Sequence, residues 1–450
     1  MMTGHLIGSA GILRNRILCE QAIRATIAGD QSASDLRTTI RQQVSSELAG
    51  FVITVADLQA KAARKLQAPD DTPRIWWVTE KSLQQSTPWQ VARLKSMWFA
   101  DQTVFDLCCG HGGDARQLKQ RGPVVAIDAD PLVAELAAAN LDLDQVSLLN
   151  ANCIQGDHSD AGATSLTLPH GQVICADVAR VQLPQDSWIS LDPDRRPSSP
   201  ANGSTQYGST QHGSTRTIQP DHYQPDWQTV LQIIRRSAGA SIKLAPAANP
   251  AVDQLPEFHR CWISLSGSVR EQTLLSGGTV TNSQLPVAGR SAAVVKSNGT
   301  AHWFIAEPDV LATRAPMTNK PLAWIVDPDA AIRAAGLTEA YAVKNQLSLL
   351  GRASGFLTGA AAPIKPNLAM SAEVIWSGSC DDRKLRRELR QRNFYPAVIK
   401  VRGTDHNPEQ LTRKYRKCGE QPVCLWIGRG KDRVFAAITQ QPQTCPPASS

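Results

Sequence analysis

Nowhere do the apolar residues of this 450-residue chain run on for the ~20 positions needed to cross a bilayer, so no membrane-spanning helix is expected. Ten cysteines are present but no Cys-x-x-Cys pair, so neither a zinc site nor a disulfide framework is expected, and the thiols read as reduced and cytosolic. The start, Met1-Met-Thr-Gly-His-Leu-Ile-Gly-Ser-Ala-Gly11, lacks a basic segment followed by a long apolar core, which is the pattern of a secretory leader. A cytoplasmic protein without membrane or metal is the expectation. Charge is sparse at 19% of residues and aromatics sparser at 5%, against 42% hydrophobic residues. That balance suits soluble globular domains with sizeable cores, two or three of them at this length.

The net charge of +7 is unevenly spread: residues 381–420 hold twelve Lys/Arg and six Asp/Glu. Arg383, Arg386, Arg387 and Arg390 fall on one predicted helix, and Arg413, Lys414, Arg416 and Lys417 on a second. This is the footprint of a contact with a phosphate backbone. A solvated helix face is the plain alternative.

Residues 104–115, Val-Phe-Asp-Leu-Cys-Cys-Gly-His-Gly-Gly-Asp-Ala, carry the most information. An apolar run ends in Asp106 and breaks at Gly110, Gly112 and Gly113; a helical pattern follows from Asp114 to about Lys119. Strand, glycine loop and helix give a backbone that can approach a nucleotide-like ligand closely. A second buried strand, 124–128, ends in Asp128, where an acid can accept from both hydroxyls of a ribose. A later strand ends in Asp192-Pro-Asp-Arg-Arg196. Gly110-x-Gly112-x-x-Ala115 also fits a dinucleotide fingerprint, but Asp106 stands where that fingerprint usually has an apolar residue. A packed sheet with glycine turns and no ligand is the third reading.

Residues 1–98 read as a helical region, with Leu36, Ile40, Val44 and Leu48 at four-residue steps. Leu83-Gln-Gln-Ser-Thr-Pro88 is expected to cap a helix carrying Val91, Leu94, Lys95 and Trp98. An α/β domain follows over 99–312. Val146–Leu149 and Val173–Asp177 compete for its third strand, so the residue expected to meet adenine is either Asn152 or Asp177. Residues 198–220 hold three imperfect copies of a Gly-Ser-Thr unit, too polar to order themselves. Trp262–Leu275 predicts a hairpin turning at Ser266-Gly267, and 291–305 another around Asn298-Gly299. A last α/β domain spans 313–441, with helices near 328–335, 339–350, 382–392 and 408–417. A tail without expected order covers 442–450.

Taken together, the chain resembles the bacterial class I S-adenosylmethionine (SAM) methyltransferases that carry a C-terminal THUMP-like domain. The likeness runs from about residue 70 to 440. It rests on Leu83-Gln-Gln-Ser-Thr-Pro88, the 106–115 loop, Asp192-Pro-Asp-Arg-Arg196, Lys243-Leu-Ala-Pro246, Asp327-Pro-Asp-Ala-Ala-Ile-Arg-Ala-Ala-Gly-Leu337 and Ile399-Lys-Val-Arg-Gly403. The family's fold is an α/β Rossmann-like sheet, and its cofactor SAM. The resemblance implies that Asp106, Cys108, Gly110, Gly112, Asp128, Asp177 and Thr87 bind the cofactor. It puts Asp192 and Pro193 at the methyl end. RNA is the implied partner, by analogy with THUMP domains proper; Arg195 and Arg196 would meet its phosphate near the reaction, and Arg413, Arg416 and Lys417 farther away. A salt bridge to Asp194 is the plain reading of Arg195 and Arg196. The region where uridine C5 enzymes carry a cysteine nucleophile holds Lys243-Leu-Ala-Pro and no thiol, so covalent catalysis is not expected. A small-molecule methyltransferase and a catalytically silent RNA-binding protein are the competing functions.

Overall fold

The computed structural model describes residues 11–29, 38, 40–148, 171–195, 217–252, 255 and 257–441. Asn152, Arg196, most of the Gly-Ser-Thr repeat and the tail lie outside these. The chain forms two compact units, the first of residues 1–259 with 271–285, the second of 260–270 with 286–450. The N-terminal helices belong to the first unit, and residues 313–441 to the second. Among the described residues no helix is long and apolar enough to cross a membrane.

The first unit opens with α1 (Arg16–Ala28) and α2 (Ser46–Leu66). Ser45 caps α2 by accepting from the Leu48 N–H at 3.2 Å. The buried stripe Leu48, Val52 and Val55 packs with Ile23, Trp77 and Leu136, which fastens these helices to the sheet. Two helices follow, α3 (Glu80–Gln85) and α4 (Trp89–Ser96). Thr79 and Ser82 close a capping box on α3. The expected side-chain cap on α4 does not form: Pro88 holds the N-cap position and makes no such bond. Thr87 turns elsewhere.

The core alternates β1 (Val104–Leu107), α5 (Gly113–Arg121), β2 (Val124–Asp128), α6 (Pro131–Asn140), β3 (Ser147–Leu148), β4 (Gln172–Cys175), β5 (Ser187–Leu191), α7 (Trp227–Arg235) and β6 (Ser237–Leu244). Their order across the sheet is β3-β4-β2-β1-β5-β6. Each neighbouring pair is parallel. Strand order reverses beside β1, so the carboxyl ends of β1 and β5 open a crevice where such sheets take ligands. Of the two candidates for the third strand, β4 lies beside β2 and β3 sits outside it.

Two further strands come next, β7 (Phe258–Leu265) and β8 (Ser268–Gly277); β8 runs antiparallel to β6. The turn at Ser266-Gly267 forms as expected, both residues having positive φ (52° and 79°). In the second unit β7 pairs in parallel with β9 (Arg290–Val295), which forms the expected hairpin with β10 (Ala301–Ala306). The unit goes on with β11 (Trp324–Pro328), α8 (Ala330–Ala334) and α9 (Thr338–Lys344). The helix expected over 339–350 stops at Lys344. Asn345 there donates to the Tyr341 carbonyl at 2.8 Å and accepts from the Ile364 N–H at 3.0 Å, and Gln346 takes φ 57°. The chain reverses into β12 (Ser348–Leu349), then β13 (Leu357–Gly359), β14 (Ala369–Ser379), α10 (Asp382–Gln391), β15 (Phe394–Arg402), α11 (Pro408–Tyr415), β16 (Gln421–Arg429) and β17 (Val434–Gln440). These seven strands form a sheet ordered β12-β13-β11-β14-β17-β16-β15. Leu385, Leu389, Leu411 and Tyr415 of α10 and α11 cover one face. Phe356, Trp426 and Phe435 fill the other.

Candidate active site

A cavity of 810 Å³ lies over the carboxyl ends of the parallel strands, within the range of ligand sites generally. Five of the strands deliver groups to it: Asp106 from β1 and Cys108 just beyond it, Asp128 from β2, Asp177 beyond β4, Asp192 and Pro193 beyond β5, and Lys243 from β6. Thr87, Gly110, His111, Asp114 and Arg195 also line it.

The glycine loop shows why glycine is needed, and for two different reasons. Gly110 has φ 57° and a Cβ added there would meet nothing within 4 Å, so its backbone faces open space in the cavity. Gly112 has φ 81°, and a Cβ there would meet the Ala137 backbone at 3.2 Å. Gly112 is not among the lining residues; its missing side chain admits the close packing of α5 on α6. Gly113, which no role was given, lines the cavity in its place.

Asp128 accepts from the Gly110 N–H at 2.9 Å and the Asp130 N–H at 3.1 Å. Burial pushes its carboxyl up to about 6 despite these bonds. Asp106 is 2% exposed and pushed up to about 8, by burial first and then by the neighbouring Asp114 carboxylate. Its Oδ2 is buried without a hydrogen-bond partner, as is His111 Nε2. Burial holds His111 down at about 4, so its ring is neutral. The Cys108 and Cys109 thiols are raised, by burial first and then by the nearby carboxylates, which keeps them protonated and unreactive. Asp177 sits at the rim, its side chain accepting from the Ala179 N–H at 3.0 Å and lying 3.6 Å from Arg180.

From the cavity wall inward runs a chain of linked charges. Lys243 Nζ donates to Asp192 Oδ2 at 2.6 Å and to Thr87 Oγ1 at 3.1 Å. Thr87 donates to Asp114 Oδ2 at 3.2 Å, and Lys95 Nζ donates to the same oxygen at 2.7 Å. Lys95 also stands 3.3 Å from Glu271 Oε1. Burial disfavours both charges, yet the Asp114, Glu271 and Asp192 carboxylates raise Lys95, and the two ammonium groups lower Asp114. Lys95, Lys243, Asp114 and Glu271 carried no expected role. Two signals were present: Lys95 lies on the apolar stripe of α4, and Lys243 interrupts an otherwise apolar strand. A lysine in such a place is paired when buried.

Arg195 stands at the edge of the cavity. Arg413, Arg416 and Lys417 lie in the other unit, all solvent-exposed, with Arg416 stacked over the Tyr395 ring at 4.1 Å.

No family model matches the chain. Two Mycobacterium tuberculosis proteins, of strains CDC 1551 / Oshkosh and ATCC 25618 / H37Rv, are each 27% identical to it over 386 residues, covering 85% of this chain and 93% of theirs. Both are described as an uncharacterized S-adenosylmethionine-dependent methyltransferase. The crystal structure of a "putative methyltransferase" from Porphyromonas gingivalis W83 superposes with a TM-score of 0.63 at 15% identity, covering 88% of this chain and 92% of that one. The chain is similar in sequence to proteins described as S-adenosylmethionine-dependent methyltransferases, and it shares the α/β Rossmann-like fold of the Porphyromonas gingivalis protein. The dinucleotide reading of the glycine loop is set aside with that result. The crevice is accordingly the place to look for a bound cofactor.

Proposed function

We propose that this protein binds SAM in the crevice and methylates a structured RNA, which the basic C-terminal stretch recruits. The observation that carries the cofactor reading is the row of carboxylates at the strand ends, Asp106, Asp128 and Asp192, beside a glycine whose missing side chain leaves the backbone open. The unpartnered Asp106 Oδ2 and His111 Nε2 fit a ligand that bears both an ammonium and a carboxylate. When bound, SAM supplies the electrophilic methyl group. Asp128 takes the ribose hydroxyls, Asp177 the adenine amine, Asp106 the ammonium, and Gly110 and Cys108 offer backbone. Asp192 accepts a hydrogen bond from the acceptor's N–H or O–H, and the Lys243 ammonium holds it in place. Thr87 acts through Lys243. A methyl transfer needs little beyond such alignment.

Asp128→Ala should weaken binding of S-adenosylhomocysteine at least about tenfold by calorimetry, since two charge-assisted hydrogen bonds of about 1.5–3 kcal/mol each are lost. Asp106, raised to about 8, is protonated at neutral pH until a cation is laid against it. Affinity should therefore climb from about pH 6 to pH 8 and level off above, with proton release; Asp106→Asn should flatten the climb. Tighter binding of NAD than of S-adenosylhomocysteine would contradict this reading.

The motifs at 327–337 and 399–403 support reading 313–441 as THUMP-like. The exposed Arg387 and Arg390 on α10, Arg413 on α11, and Arg416 and Lys417 just beyond its end, where the helix expected through Lys417 stops at Tyr415, support RNA contact. Neutralising Arg413, Arg416 and Lys417 together should weaken RNA retention on filters and flatten its salt dependence, with S-adenosylhomocysteine binding intact. Equal retention of both proteins would remove this surface as the RNA contact. The reaction itself is tested by mass spectrometry of modified nucleosides in total RNA from a deletion strain and its parent; a methylated nucleoside missing from the deletion strain is the expected result.

A further inference from the structure

Two of the quoted stretches, 327–337 and 399–403, take no part in the crevice. The fold brings them together around one carboxylate. Asp327, at 4% exposure, accepts from Arg333 Nη1 at 2.6 Å through Oδ1. Through Oδ2 it accepts from Lys400 Nζ at 2.8 Å and from Arg402 Nη2 at 2.9 Å. In the sheet, β14, β17 and β16 separate β11 from β15. At about 4.8 Å per strand a flat sheet would keep them about 19 Å apart, so this sheet curls until the side chains of β15 reach β11. Lys400 and Arg402, two residues apart, share the inner face. Ile399 and Val401 face the other way, into the core with α10 and α11. Lys400 lies over the Trp426 ring at 5.4 Å and Arg402 over the Phe356 ring at 5.1 Å. Aromatic floors thus fix both cationic heads.

One carboxylate needs one cation, and this one has three. Lys400 and Arg402 share a single oxygen, so their charged nitrogens are no farther apart than two hydrogen bonds laid end to end. Like charges that close repel. Among the described residues none of the three pairs with a second carboxylate, and their side chains remain 28%, 22% and 25% exposed. The contrast is Asp142, which gathers Arg16, Arg74 and Arg116. There Glu20 shares Arg16 and the Asn140 carbonyl at the end of α6 shares Arg74, so acceptors absorb the surplus. At Asp327, among the described residues, only the Pro328 carbonyl, which accepts from Arg333 Nη1 at 3.1 Å, takes up any of the surplus. No second carboxylate there pairs with Lys400 or Arg402, and the exposed Arg429 lies close by, its Nε donating to the Gly403 carbonyl at 3.3 Å.

We propose that Arg333, Lys400 and Arg402, anchored by Asp327, form a cradle for one phosphate group of the RNA; this rests on the RNA reading above and adds a contact apart from α11. A guanidinium fork and an ammonium converging on one point suit phosphate oxygens. Asp327 is a positioning residue: it aims the three cations and does not touch the ligand.

The test uses the full chain with Lys400→Gln and Arg402→Gln combined. Arg333 still compensates the buried carboxylate in that variant. Against an in vitro transcribed tRNA, affinity should fall at least about tenfold at low salt, and the slope of log K against log salt should drop by about one to two. Melting temperature and S-adenosylhomocysteine affinity should match the wild type, and inorganic phosphate should raise the melting temperature of the wild type only. If the wild type binds tRNA and the double variant binds it equally, the cradle is overturned and the RNA reading stands. If the wild type binds no tRNA while inorganic phosphate still distinguishes the two proteins, the phosphate site stands and the RNA reading falls. A loss of melting temperature with unchanged tRNA affinity would mark the cluster as purely structural and overturn the proposal.

Discussion

Asp192→Ala should lower methyl transfer to RNA by about 100- to 10,000-fold, the usual range for removing a positioned acid–base group, while affinity for S-adenosylhomocysteine changes little. Asp192 follows β5 at the mouth of the crevice and is held at 2.6 Å by Lys243, so its side chain is aimed before any acceptor arrives. The measurement is transfer of labelled methyl from SAM to RNA of a strain lacking the gene. Asp192→Asn keeps the size but not the charge and should recover only part of the rate. Thr87→Val should act in the same direction and more weakly, since it removes one of the two acceptors that place the Lys243 ammonium. If Asp192→Ala weakened cofactor binding as much as turnover, the residue would belong to the cofactor site and not to the acceptor.

Lys95→Met should cost about 3–5 kcal/mol of stability in urea unfolding, because removing one partner of a buried ion pair strands the other. Lys95 and Glu271 are 6% and 1% exposed, and the Asp114 side chain, on the cavity wall, is 13% exposed. Without the ammonium, two carboxylates are left together on the inner side of the cavity, largely out of solvent. Adding Glu271→Gln to the variant removes one of those charges and should restore part of the loss. A cost under about 1 kcal/mol for Lys95→Met would mean that Lys243 alone compensates the cluster.

Much of the crevice was legible because its signals are local. A strand that ends in Asp106 and breaks into glycines, a second that ends in Asp128, and Asp192-Pro193 after a third each declare themselves within a few residues. The strand ends then fall together because parallel strands with short crossovers share one edge. The roles of Gly110 and Gly112 were not separable in this way. Both have positive φ, but only the neighbouring helix, through Ala137, tells packing from ligand approach. The 11-residue β14 escaped notice because its run of small and polar residues, Ala369-Met-Ser-Ala-Glu-Val-Ile-Trp-Ser-Gly-Ser379, has no clean alternation; its two neighbours hold it in the sheet. The helix expected over 339–350 failed at Asn345, whose side chain bonds to two different segments of backbone.

By itself the sequence determined the α/β class, the order of the acids along the parallel strands, and the uneven charge of the C-terminal stretch, since these follow from periodicity, turn chemistry and composition. Tertiary structure alone decided which charges are buried and with whom. Thr87, Lys95, Asp114, Lys243 and Glu271 come from five separate segments, and nothing local marks them as one network. Asp327, Lys400 and Arg402 meet only because a seven-stranded sheet curls. A charge can stay out of water only where a partner of opposite sign arrives from elsewhere in the chain, and that meeting belongs to the fold.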